Sequence, residues 1–115
     1  MRWVELLIYF NMVKERIYEA RFLSKAKEFI QNLGAGDQIK IAAAVKTLEE
    51  GDFRSVQIKT LKRHIQELII KSHRLVFFIG KNHVIYFVDG FIKKTQKTPR
   101  NIIENAEDIF REMNK

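Results

Sequence analysis

The run "HVIYFVDGF", residues 83–91, is apolar at adjacent as well as alternate positions. A strand of that kind is buried on both faces, so it reads as the central strand of a sheet. Two further β-rich runs precede it, "HIQELII" at 64–70 and "HRLVFFI" at 73–79, with "GKN" as a glycine-containing hairpin connection before the last strand. Any fold for this chain must place these three runs side by side.

Upstream the hydrophobic period is different. "RIYEARFL", 16–23, alternates like a strand with one wetter face. Ser24 is placed to cap a helix in which Ala26, Phe29, Ile30 and Leu33 recur at helical spacing, and Gly34 supplies a stop. Asp37 is placed to cap a second helix, with Ile41, Ala44, Val45 and Leu48 on its apolar face and Gly51 at its end. Together these make a helical hairpin. A polar loop leads from there to the β-rich region. After it, Thr98 caps and Pro99 opens a last helix striped by Ile102, Ile103, Ala106, Ile109, Phe110 and Met113. The order β-α-α-β-β-β-α predicts an α+β fold. A helical hairpin packs on a small, mostly antiparallel sheet of about four strands, and the C-terminal helix closes another side or edge.

At 115 residues the chain is long enough for one domain with a real core. Residues 1–15 read as an N-terminal extension or an extra edge element, and 16–115 as the domain. "MRWVELLIYFN" is too short to span a bilayer and lacks the cleavage site of a secretory signal. The sequence holds no cysteine, which excludes disulfides and thiolate chemistry. His64, His73 and His83 are not spaced like a helical metal pair, and no close carboxylate cluster suits magnesium, so neither metal nor cofactor is expected. The formal net charge of +7 favours a polyanion, whether nucleic acid, an acidic membrane or an acidic partner protein; of these, nucleic acid is expected and a membrane is not.

The charge is not spread evenly. "FIKKTQKTPR", 91–100, sets Lys93, Lys94, Lys97 and Arg100 between the end of an apolar strand and the start of a helix. Such a run can be a solvated connector that protects a sheet edge. It can also be a phosphate cradle, because Thr95, Gln96 and Thr98 add hydrogen-bonding groups beside a helix N-terminus. Arg74 shares a strand face with Val76 and Phe78, where an unpaired arginine is costly. It either pairs with Glu67 or Asp89, or projects toward a bound anion. His73 points to the opposite face in a regular strand, yet near a strand end it can reach the same cleft. Lys59, Lys62, Arg63 and His64 form a second basic cluster, either a solvated loop or the flank of a groove that tracks a nucleic-acid backbone. Phosphodiester cleavage by such residues fits RNA, whose own 2′-OH can attack the adjacent phosphate. The protein then supplies a base, an acid and positive charge, without a metal.

The element order, the pair "HR" at 73–74 and above all "GFIKKTQKTP" at 90–99 resemble the RelE/HigB toxin superfamily, in its phage-derived Gp49-like, HigB-type branch. The resemblance runs from about residue 16 to the C-terminus. It implies a type II toxin, a ribosome-dependent endoribonuclease that cleaves messenger RNA in the cytoplasm. It also implies a cognate antitoxin encoded nearby, in this branch often a helix-turn-helix protein. Arg74 matches the family arginine that stabilises the transition state, Lys93, Lys94 and Lys97 match the signature lysines, and Glu67 matches the family glutamate. The base is left among Glu67, His73 and a lysine whose pKa is lowered by crowded cations. Two residues depart from the pattern. Ile69 replaces the arginine usual after Glu-Leu, and His73 replaces a tyrosine and can carry a proton near neutral pH. The first departure keeps a second reading open: a non-catalytic, degenerate binding module on the same scaffold. A ParE-like topoisomerase inhibitor is a further variant, which the lysine signature disfavours.

Overall fold

A computed structural model of the chain describes residues 16–95 and 97–115. The N-terminal stretch 1–15 and Gln96 lie outside the described residues, and with them the expectation of an added edge element. The elements are β1 (Glu19–Phe22), α1 (Ser24–Gln31), α2 (Ala35–Glu49), β2 (Gln57–Lys62), β3 (Ile65–Ile70), β4 (His73–Ile79), β5 (Val84–Ile92) and α3 (Arg100–Met113). The sheet runs β1-β5-β4-β3-β2, with β1 parallel to β5 and every other pair antiparallel.

Among the described residues the sheet has a fifth strand, β2, lying in the stretch that the sequence reading took as a polar loop. In β2 only Ile58 and Leu61 are half-buried, and the positions between them are exposed. It is an edge strand, where polar residues are the norm. The doubly apolar run forms β5, but the middle of the sheet is β4, whose residues Leu75 to Phe78 are all fully buried. β5 stands next to it, covered by β1. His83 belongs to the short 3-10 turn Lys81–His83 rather than to the strand.

Both faces of the sheet are covered. On one, α1 and α2 bring Ala26, Ile41, Val45 and Leu48 against Leu68, Leu75, Phe77, Ile85 and Phe87. On the other, Ala106 of α3 closes on Ile65, Val76, Phe78 and Val88, with Ile102, Ile109 and Phe110 packed around them. Each large side chain removed from water in these layers contributes about 1.5–3 kcal/mol. Phe29 is half-buried, and its ring lies on the backbone of β5. A Cβ on Gly90 would stand 2.3 Å from Phe29 Cδ2, so only glycine admits this close approach.

The helix starts differ from the capping expected. Leu23 is the N-cap of α1 and Gly34 that of α2, neither with a side-chain cap, and Asp37 sits inside the first turn of α2. An acid there still meets the positive end of the helix. Pro99 is the N-cap of α3, which begins at Arg100. Thr98 is therefore free for another partner. Among the described residues no helix is long and apolar enough to cross a membrane.

Candidate functional site

Strand parity decides which candidate residues meet. Across the tight β3–β4 turn, Ile70 pairs with His73, Ile69 with Arg74 and Glu67 with Val76. Side chains alternate along a strand, so Glu67, Ile69, Arg74 and Val76 share the face that α3 covers. Leu68 and Leu75 share the other face, under the helical hairpin.

His73 falls on that hairpin face. It is buried, its Nε2 lies 3.8 Å from Asp37 Oδ2, and its ring packs at 6.1 Å from that of Phe29. It fastens α1 and α2 to β4 and does not reach the side of the sheet that carries Arg74.

Arg74 forms no ion pair with Glu67 or Asp89. Its Nη1 donates to the main-chain oxygens of Lys71 at 2.6 Å and His73 at 3.1 Å, and its buried Nε has no partner among the described residues. Main-chain carbonyls orient the guanidinium without neutralising it. Lys71, whose carbonyl does most of this, was not singled out from the sequence. It occupies the turn with a left-handed φ of 56°, and a residue between two short-looped strands was the available signal.

The lysine run crosses this face as a loop fixed at both ends. At one end the backbone N–H of Lys93 donates to Ser72 O at 2.8 Å, beside the β3–β4 turn. At the other, Thr98 Oγ1 donates to Glu67 Oε1 at 2.8 Å. In between, Thr95 Oγ1 donates to Lys97 O at 3.1 Å, and Lys94, Thr95 and Lys97 are exposed. Phe91, the residue that pairs with Arg74, leads into this loop. The arginine and the three lysines thus belong to one surface.

Glu67 is 0% exposed, and its Oε2 has no hydrogen-bond partner among the described residues. Enclosed in this way, it cannot touch a substrate. It anchors the loop to the sheet through Thr98. Lys59 pairs with Glu67 across β2–β3 and is exposed, so it extends the same basic surface. The rest of the second basic cluster is elsewhere. Lys62, Arg63 and His64 lie at the turn of the β2–β3 hairpin, roughly 10 Å of strand beyond Lys59. There Lys62 pairs with Glu107 at 3.3 Å and His64 stacks on Phe110 at 4.5 Å, lining a cleft of about 210 Å³.

A surface of this kind can hold a phosphodiester and stabilise extra negative charge on it. Among the described residues no three histidine or carboxylate side chains come together to hold a metal ion.

A family model described as phage derived protein Gp49-like matches residues 28–111. The archaeal RelE–RelB complex from Pyrococcus horikoshii is similar in structure, with a TM-score of 0.60 at 12% identity over 68% of this chain and 97% of that one. The RelB–RelE antitoxin–toxin complex of Methanococcus jannaschii has a TM-score of 0.54 at 10% identity, covering 77% of this chain and 96% of that one. At these identities the likeness establishes a RelE-like fold, as the resemblance implied. No curated protein sequence matches the chain.

Proposed function

The chain belongs to the phage-derived Gp49-like family, and from that premise we propose that it is the toxin of a type II toxin–antitoxin pair, an endoribonuclease that cleaves messenger RNA on the ribosome. The observation that carries this reading is the lysine loop tethered across the face that presents an un-neutralised Arg74. In this reading the 2′-oxygen of the RNA attacks the adjacent phosphorus and the 5′-oxygen departs. Arg74 neutralises the charge that builds on the phosphate, and Lys94 and Lys97 hold the flanking backbone. Glu67 acts only by positioning the loop through Thr98. With Glu67 enclosed and His73 on the opposite face, a neutral lysine of the loop takes the proton of the 2′-OH and, once protonated, returns it to the departing 5′-oxygen. The partner that silences the chain is a cognate antitoxin, and the place of action is the cytoplasm.

One observation favours a second reading. Ile69 is the register neighbour of Arg74, so the departure from the family pattern removes a cation at the centre of the site. That suits a binding module without cleavage. Inducing the chain in a bacterium and mapping messenger RNA ends separates the two. Growth arrest with ribosome-dependent cuts is the expected result, and Arg74→Ala lowers cleavage by about 10²–10³. If Arg74→Ala and Lys94→Ala/Lys97→Ala stay folded and as toxic as the parent, the site is misassigned. If the parent is harmless and cuts no message, the binding module stands instead.

A further inference from the structure

The cleft between the β2–β3 turn and α3 holds an aromatic stack that runs from the core to the surface. Phe78 of β4 is fully buried, Phe110 of α3 meets it edge-on with ring centroids 5.2 Å apart, and the His64 ring lies on Phe110 at 17° to its plane. His64 is nevertheless exposed, so the imidazole face turned away from Phe110 is open to solvent. Beside it, Lys62 is paired with Glu107 and Arg111 with Asp108. Arg63 has no hydrogen bond or ion pair among the described residues. It opens a two-residue hairpin loop at φ 37°, a position where glycine is the usual choice. Backbone strain of this kind gathers where a side chain has a use. At about 210 Å³ the cleft is smaller than the ~300–1,000 Å³ of sites for whole small molecules, and it suits one planar group inserted by a larger partner.

We propose that this cleft is a base-stacking subsite for single-stranded RNA, in which one base lies on the open face of His64 and Arg63 meets the adjoining phosphate. The cleft is on the same side of the sheet as Arg74. Ile65, which lines it, packs in the α3 layer, and alternation along β3 puts Ile69, the register neighbour of Arg74, on that side too. From Ile65 to Ile69 the strand runs roughly 13 Å, and the exposed Lys59, opposite Glu67, stands between them. A strand laid over Arg74 reaches the cleft within about four stacked nucleotides at ~3.4 Å each. An aromatic face accepts any base and the arginine holds a phosphate, so the subsite lengthens the footprint without reading sequence. The inference rests on the RNA-cleavage reading and adds to it a contact away from the reacting phosphate.

The test uses the full chain and a labelled 2′-O-methyl dodecaribonucleotide, which lacks the attacking hydroxyl and survives intact. Binding and stoichiometry are read by fluorescence anisotropy over a salt series, and one strand binds per chain. His64→Ala weakens binding about tenfold, the scale of a lost base stack. His64→Phe, which keeps a ring and no ionisable group, keeps the parent's affinity. Arg63→Gln makes the salt slope shallower by about 0.7, the value for one phosphate contact on a single strand, and Lys46→Gln, the same charge loss on α2, leaves the slope unchanged. If Lys94→Gln/Lys97→Gln weakens binding and His64→Ala does not, the subsite is refuted and the Arg74 site is untouched. If His64→Phe binds as poorly as His64→Ala, no base stacks there and the proposal is overturned. Two strands per chain would separate the cleft from the strand on Arg74 and overturn it likewise. If His64→Ala binds RNA normally but no longer holds the antitoxin, the cleft is a protein-docking surface and the proposal falls. If the parent itself does not bind the oligonucleotide, the RNA reading fails together with the subsite.

Discussion

Thr98→Val keeps the shape of a side chain and removes one hydroxyl. In the parent that hydroxyl is the partner of Glu67 Oε1 at 2.8 Å, while Oε2 is already without one and the residue is 0% exposed. The variant therefore encloses a carboxyl group with neither oxygen bonded to a described residue. A hydrogen bond to a charged acceptor contributes about 1.5–3 kcal/mol, and low-polarity surroundings make an orphaned group correspondingly costly. The expected loss is about 2 kcal/mol, or roughly 6–12 °C in Tm for a chain of this size. Urea denaturation followed by circular dichroism, with an unchanged m-value, is the assay. The companion variant Glu67→Leu/Thr98→Val replaces both polar partners by apolar groups, and its stability returns to within about 1 kcal/mol of the parent. Cleavage does not return with it, because the lysine loop has lost its tie to β3. The reasoning is refuted if Thr98→Val lies within about 0.5 kcal/mol of the parent, or if the double variant is no more stable than Thr98→Val alone.

Gly90→Ala should destabilise by about 1–3 kcal/mol. The new methyl would meet Phe29 at Cγ (2.7 Å) as well as Cδ2, so the ring cannot swing clear; an unchanged denaturation midpoint would contradict that packing. A chain beginning at Met12 should lose less than ~2 kcal/mol on chemical denaturation, below the scale of a lost core side chain. A larger loss would place Trp3 and Leu7 in the core. Lys40→Gln should leave Tm unchanged or higher at neutral pH. Lys71 lowers the Lys40 pKa on folding, so the protonated lysine is disfavoured at every pH below that lowered value, and deleting its charge relieves the effect. A fall in Tm would mean that the two ammonium groups are not crowded.

Where a side chain faces two layers at once, the sequence was easy to read. The doubly apolar β4 and β5 and the stripes of α1, α2 and α3 announce their burial in residue type alone. β2 was not legible because an edge strand with Gln57, Lys59, Thr60 and Lys62 turned outward has the composition of a loop. The site was legible in its parts, and alternation along the strand already set His73 opposite Arg74. What the sequence could not show is that His73 stays on that side, held near Asp37 and Phe29, instead of reaching the cleft of Arg74. Burial then turned Glu67 from a candidate base into an anchor.

The parallel pairing of β1 with β5 has a consequence for the order of synthesis. Glu19 is the register partner of Val84, so the first strand of the domain must wait for the last one to exist. Contacts this distant in sequence form late and slow the folding of small domains. A growing chain at 5–20 residues per second therefore spends seconds with α1 and α2 made and no sheet for them to cover. Thr98, which ties down the lysine loop, is made later still. The cationic surface is thus assembled only once residue 98 has been made, and a product that stops before it carries Arg74 without the clamp above it.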